Sequence, residues 1–406
     1  MNKLFLCFLL QLFVLTVAQR TILDSPDIRS IVRFVRNWIF QTFGEEERVT
    51  IQYTNKIQKE VPANVPFPCN LTGTRSPTVP DSIHRLRPGD IDVIAALGDS
   101  LTSGMGIFAT NLLELYIENR GVMAIIGGEK NWRKYLTIPN ILKEFNPNLM
   151  GYSLGDSLTT DSASQLDVAE VGAMSRDMPF MAKFLVNRIK NDKRINIEKH
   201  WKMIFILIGF NDICTDLCVL RSPWSTLENH KKDLLKTLRI LRDNLPRTFI
   251  GLIIPTHLRE IVNTHNATNS FICYATRTIF CSCLFSLRYK SQREEYFKIM
   301  DRWQEIDEEI SKYPEFHTND FTVISLPGIK NVKLPLNNNG VPEVHRYFST
   351  DCFHISQLGN AQSANTLWNN LLQPVGNKTN DEWLPPFEKF LCPTLERPYL
   401  ATFENS

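Results

Sequence analysis

The chain has 406 residues, 43% hydrophobic and 22% charged, and its 45 Lys+Arg against 43 Asp+Glu leave a formal charge of +2. This is ordinary globular composition, which excludes a disordered chain, a collagen-like chain and a coiled-coil rod. So small a net charge gives no field to steer the protein to nucleic acid, and no nucleic-acid partner is expected.

Met1-Asn2-Lys3 is a short positive start, followed by the apolar run Leu4 to Val17 and small residues at Thr16 and Ala18. This is the layout of a secretory signal peptide, residues 1–18, cleaved after Ala18. The run is shorter than the roughly 20 residues a membrane-spanning helix needs. No later segment is long and apolar enough to span a bilayer, and Leu400 to Ser406 offers no hydrophobic tail for a lipid-anchor signal. The expected mature protein is secreted and extracellular, with no transmembrane anchor.

Residues 19–88 read as a lead-in. Ile28, Ile31, Val32, Val35, Trp38 and Ile39 return at helical spacing, and a Pro-rich stretch without period runs from Pro62 to Pro88. From Ile91 short apolar runs alternate with longer helical patterns. Strands are predicted at Ile91–Leu97, Leu166–Val171, Met203–Ile208, Phe249–Ile254 and Phe321–Leu326, and helices at 178–190, 226–244, 289–312 and 356–372. Continuous apolar strands suit a parallel sheet buried on both faces. The alternation predicts an α/β protein, a three-layer α/β/α sandwich with a central parallel sheet over residues 89–375, followed by a tail, 376–406, packed on it. In such sheets function gathers at the carboxyl ends of the strands.

Cysteine usage fits secretion. Eight cysteines remain after the leader: Cys69, Cys214, Cys218, Cys273, Cys281, Cys283, Cys352 and Cys392. An even count in a secreted chain implies disulfides of unreadable connectivity. A zinc site at Cys214/Cys218 and Cys281/Cys283 lacks paired histidines at ligand spacing, so no metal is expected. Glycosylation sequons begin at Asn70, Asn266 and Asn377, each expected on a surface loop if used.

The first strand runs straight into Gly98-Asp99-Ser100-Leu101-Thr102, which presents Ser100 at the functional edge, with Gly98 expected to permit the tight turn. The same pentapeptide recurs as Gly155-Asp156-Ser157-Leu158-Thr159, without a proper strand before it or room for a helix after it, so Ser157 is expected to be a loop residue. Three further features converge on Ser100. The second predicted strand ends in Val171-Gly172-Ala173, the third in Gly209-Phe210-Asn211-Asp212, and Asp351-Cys352-Phe353-His354 precedes the last helix. Asp351, three residues before His354, is placed to fold back on the imidazole; His354 would take the Ser100 proton. Donors from Ser100, Gly172 and Asn211 would hold an oxyanion. His257, at the same predicted edge, reads as a satisfied loop histidine.

The ordered set Gly-Asp-Ser, Gly, Gly-x-Asn-Asp and Asp-x-x-His resembles the four blocks of the SGNH (GDSL-type) hydrolases. The surroundings are similar to the phospholipase B1 branch: Leu86-Arg87-Pro88, Ile138-Pro139-Asn140-Ile141-Leu142, Asp177-Met178-Pro179, Leu367-Trp368-Asn369-Asn370 and Pro398-Tyr399-Leu400, among others, from about Phe67 to the C-terminus. The resemblance implies a flavodoxin-like hydrolase fold and a cofactor-free, metal-free phospholipase B or lysophospholipase. Its partners would be a phospholipid or lysophospholipid substrate and, transiently, lipid aggregates or a membrane surface. Two segments depart from that branch. Ser103–Tyr116 is bulky and apolar where a Gly-rich loop is expected, and Val122–Ile126 lacks a Trp-Ser pair; both are expected to line the acyl pocket. An esterase for small or carbohydrate-linked acyl groups, and a secreted lipid-binding protein with an idle site, are the competing readings. An apolar groove beside Ser100 and an intact Ser100–His354 contact separate the three.

Overall fold

The computed structural model describes residues 51–264 and 270–406, together with seven helical positions between Ile31 and Thr42. The expected signal peptide and Asn266 lie outside the described residues. Four strands form one parallel sheet in the order β1 (Ile91–Gly98), β2 (Trp201–Leu207), β3 (Thr248–Ile253) and β4 (Phe321–Leu326). Nearly every residue in them is buried, which is why their sequences run apolar without alternation. Lys202 in β2 is a fully buried charged residue among them. Its ammonium donates to the carbonyls of Ile197 and His200, and burial lowers its pKa to about 8.

The crossovers supply the two outer layers. Helices α1 (Ile138–Phe145) and α6 (Gln357–Leu372) pack together on one side; α2 (Met178–Asn191), α3 (Ser225–Asn244) and α5 (Arg293–Ile310) pack in succession on the other. Right-handed crossovers require that division. The result is the expected three-layer α/β/α sandwich. A further helix, α4 (Phe271–Phe280), lies in the long excursion between β3 and β4.

Two sequence expectations are corrected. Leu166–Val171 is not a strand: it runs beside the outer edge of β1 through three backbone bonds, Ala96 N–H to Leu166, Val168 N–H to Ala96 and Glu170 N–H to Gly98. Met150 pairs with the start of the same edge, and the chain leaves between them for a 152–165 excursion. Its outer side is taken by a side chain instead of a strand. The buried Arg120 guanidinium donates to the carbonyls of Asp167 and Ala169 and pairs with the carboxylates of Glu118 (2.6 Å) and Asp167 (2.9 Å). The helix expected over 289–312 begins as a 3₁₀ turn, Leu287–Gln292, and becomes α-helical only at Arg293.

Helix α6 is buried around its whole circumference despite its polar sequence, because its amides bracket neighbouring chain. Asn365 and Asn369 both donate to the Lys389 carbonyl, Trp368 donates to that of Leu391, and Asn360 accepts from Ala124 N–H. These bonds fasten the C-terminal segment to the sandwich. Ile51, Ile83 and Leu86 at one end of the described chain and Trp383 and Leu400 at the other join the same core. Four disulfides link Cys69 to Cys392, Cys214 to Cys281, Cys218 to Cys283 and Cys273 to Cys352. Three of them converge on the excursion carrying α4. Among the described residues no helix is long and apolar enough to cross a membrane.

Candidate active site

Gly98 and Leu207 are paired at the carboxyl ends of β1 and β2, so the turns that follow start level with each other. The requirement at Gly98 is close approach rather than unusual backbone: a Cβ there would sit 2.3 Å from Thr102 Oγ1 and 2.6 Å from the Leu207 carbonyl. Asp99 closes the turn by accepting the Leu101 N–H (2.9 Å). This leaves Ser100 facing the loop before α6. Its Oγ lies 2.8 Å from His354 Nε2, and His354 Nδ1 lies 2.5 Å from Asp351 Oδ2. The other Asp351 oxygen accepts the backbone N–H groups of Phe353 and His354, both at 3.0 Å. A carboxylate fixed by two backbone donors fixes the ring in turn. Phe280 and Phe353 flank the imidazole edge-on, and all three polar side chains are buried.

Gly172 and Asn211 arrive on adjacent turns. Gly172 has φ +80° with open space where a side chain would stand. Asn211 donates one amide N–H to the Ala173 carbonyl (2.9 Å), tying the two turns together. Among the described residues, the Ser100 N–H, the Gly172 N–H and the second Asn211 N–H meet no protein acceptor.

Behind these turns lies a buried polar chain that the sequence reading missed. Asp212 accepts the Ser175 N–H (3.0 Å); Ser175 Oγ lies 2.8 Å from His230 Nδ1; His230 Nε2 lies 2.6 Å from Asp307 Oδ1. The His230 ring stacks on Trp303 at 3.7 Å. The chain joins the Gly172 and Asn211 turns to α3 and α5. A signal for it was present: His230 falls on the apolar stripe Leu227, Leu234, Leu238 and Leu241 of α3, where a histidine must find buried partners.

The carboxyls nearby are shifted by burial. Asp99 is raised to about 7, chiefly by desolvation and further by Asp212, against the pull of the Leu101 N–H and His354. Asp212 is raised to about 6 by burial, opposed by His230.

A narrow apolar cleft of about 80 Å³ is lined by Leu101 and Phe353, the chain neighbours of Ser100 and His354, and by Phe210, Ile125, Leu367 and Trp383. Met123, Ala124 and Ile125 line it as expected; Ser103–Tyr116 does not, and instead forms a separate apolar cluster of Met105, Ala109 and Leu115 with Val171 and Phe280. His257 is satisfied by the Phe297 carbonyl, Asp301 and the Arg259 N–H, and lies outside the lining. The Ser157 hydroxyl donates to the Gly155 carbonyl of its own loop. The sulfurs of Cys273 and Cys352 approach His345, but they are bonded to each other and leave a single ligand there.

A profile of the GDSL-like lipase/acylhydrolase family matches residues 94–367, which spans Ser100, Gly172, Asn211, Asp351 and His354. The chain belongs to that family. Within the GDSL-like acylhydrolases it is 37% identical over 343 residues to "Phospholipase B1, membrane-associated" of Homo sapiens, covering 82% of this chain and 23% of that protein. The proteins of the same name from Mus musculus (37% over 342 residues, 83% and 22%) and Rattus norvegicus (35% over 342 residues, 82% and 23%) align similarly. The chain therefore spans about a quarter of the length of these relatives.

Proposed function

We propose that this acylhydrolase releases fatty acids from phospholipids and lysophospholipids by serine catalysis. The observation that carries the reading is the Ser100–His354–Asp351 hydrogen-bond chain, whose chain neighbours Leu101, Phe353 and Ile355 line an apolar cleft. In the proposed mechanism Ser100 Oγ attacks the ester carbonyl carbon and passes its proton to His354 Nε2. Asp351 holds the Nδ1–H and stabilises the imidazolium. The oxyanion is received by the N–H groups of Ser100, Gly172 and Asn211, each such donor being worth about 3–4 kcal/mol in the transition state. His354 then protonates the departing glycerol oxygen, leaving an acyl-enzyme. Water, deprotonated by His354, attacks the acyl carbon, and the fatty acid leaves with Ser100 restored. The cleft takes the acyl chain, and no metal or cofactor enters a step.

Export through the leader 1–18, with residues 19–88 as lead-in, 89–375 as the catalytic domain and 376–406 as its tail, completes the proposal. The four disulfides and the exposure of Asn70 and Asn377 as glycan acceptors support an extracellular setting. The name membrane-associated belongs to relatives four times longer; for this chain we propose only transient contact with lipid.

The test is fatty-acid release from a phosphatidylcholine, its lysophospholipid and a short-chain ester, by wild type and Ser100→Ala. Ser100-dependent release from both phospholipids is the expected result. Turnover of the short ester alone would keep the serine chemistry and discard the lipid; no turnover of any would make the protein a binder.

A further inference from the structure

Helix α4 has two working sides. Its inner side, Cys273, Thr276, Arg277 and Phe280 at i, i+3, i+4 and i+7, grips the loop that holds Asp351 and His354. Cys273 is bonded to Cys352, Thr276 Oγ1 donates to the Asp351 carbonyl (2.7 Å) and Arg277 Nε to that of Cys352 (2.8 Å). Its outer side puts Phe271, 83% exposed, and Ile279, 75% exposed, into solvent, with Ile272 beside them and Leu287 just beyond. Across the site the segment after Ser100 exposes Leu112, Leu113 and Tyr116.

The two exposed segments are continuous beneath the surface. Phe280 of α4 packs into the Met105, Ala109 and Leu115 cluster of the opposite segment, and the same ring lies 5.7 Å from His354. Both exposed segments thus connect through Phe280 to the ring of His354. Single exposed apolar residues need no explanation; seven in two segments joined across one site do. The flank carries charge to match. Arg288 and Lys290 follow Leu287 at exposed positions, while the neighbouring Glu294 and Glu295 are engaged by Arg259 and Trp224. An exposed apolar helix side, with two exposed cations on the 3₁₀ turn that follows in the chain, is suited to the interface of an anionic lipid layer.

We propose that these exposed segments form the surface on which the protein seats on a phospholipid bilayer carrying anionic headgroups, with Phe271, Ile272 and Ile279 entering the acyl layer. Seating turns the mouth of the cleft toward the lipid. Through Cys273, Thr276 and Arg277 the docking helix is anchored directly to the loop of Asp351 and His354. The proposal rests on the acylhydrolase reading above, and its test separates the two.

The variant Phe271→Ser/Ile279→Ser is compared with wild type in three measurements on the full mature chain. One is flotation, in a Ser100→Ala background, with phosphatidylcholine vesicles containing about one-fifth phosphatidylglycerol. The others are turnover of those vesicles and turnover of a short-chain phosphatidylcholine kept below its aggregation concentration. The expected result is vesicle binding and vesicle turnover both reduced about 10-fold or more, with monomer turnover and Tm unchanged. Leu112→Ser/Leu113→Ser on the other segment should weaken vesicle binding in the same sense. Wild-type vesicle binding and turnover in both variants would overturn the proposal. So would equal losses on vesicles and monomers, or a dimer abolished by the variants with vesicle binding intact. Wild type that turns over neither phospholipid form would instead sink the acylhydrolase reading, and the flotation result would still decide the surface.

Discussion

The chain carries one pentapeptide twice, and the two copies end in different chemistry. At 98–102 the residues follow a buried strand, Asp99 is sealed from solvent and Ser100 meets His354. At 155–159 they sit in the excursion that interrupts the edge beside β1. There Asp156 accepts from Asn119, and Ser157 donates to the Gly155 carbonyl at a long 3.4 Å and lends its own carbonyl to Arg120. Identical side chains therefore become a nucleophile candidate or a loop fastening according to what precedes them and what faces them. It is the position at the end of a strand, not the pentapeptide alone, that brings Ser100 against His354.

The largest way to break this contrast is at the serines. Ser100→Ala should reduce fatty-acid release by about 10⁴-fold or more, in line with losses at catalytic serines, while Ser157→Ala stays within about 2-fold of wild type. The reverse result would mean the wrong copy was chosen. Next is the arginine that stabilises the second copy. Arg120→Ala strands the buried carboxylates of Glu118 and Asp167 and should cost about 3–5 kcal/mol, read by urea unfolding. An unchanged midpoint would show that the excursion holds without it.

A smaller effect is expected where the first copy meets its histidine. Cys273→Ser/Cys352→Ser removes the covalent tie between the catalytic loop and α4, and misplacement by about 1 Å costs on the order of 10²-fold in turnover. The double variant should lose activity at temperatures where circular dichroism still reports a folded chain, and retained activity would show that the loop is fixed by its hydrogen bonds alone. The smallest effect is in pH. Asp99 has its folded pKa raised to about 7, so it favours the folded state most fully below its unfolded value and loses that contribution as pH rises through 7. Asp212 and Asp167, raised to about 6, act in the same direction. Unfolding midpoints should fall from pH 5 to pH 8, and Asp99→Asn should flatten part of that slope.

Much of the frame was legible because burial on both faces writes itself as unbroken apolar runs, as in Ile91–Leu97 and Met203–Ile208. Leu166–Val171 has the same appearance for a different reason. It is apolar on the side facing β1, yet Asp167 turns its other side toward Arg120, and one sequence cannot reveal a partner 47 residues away. Helix α1 was missed because eight residues with Pro139 in the first turn give too short a period to read; the Thr137 cap that starts it becomes meaningful only with the helix in view. The Ser100, Asp351 and His354 cluster was readable from spacing and order. Of the Ser175, His230, Asp212 and Asp307 chain only His230, on an apolar helix stripe, carried a signal; the others are ordinary helix or loop residues until the two turns and two helices are brought together. Disulfide pairing was equally closed to reading, with eight cysteines and no geometry.

The bridge between Cys69 and Cys392 has a consequence for wear. It spans 323 positions and encloses the other three bridges, so a single backbone cut anywhere between Asn70 and Leu391 leaves one covalent object. In a compartment populated by proteases, such a molecule can be nicked in an exposed loop without shedding a fragment. Scission would surface only when the thiols are reduced, and until then the severed ends stay tethered to the same core.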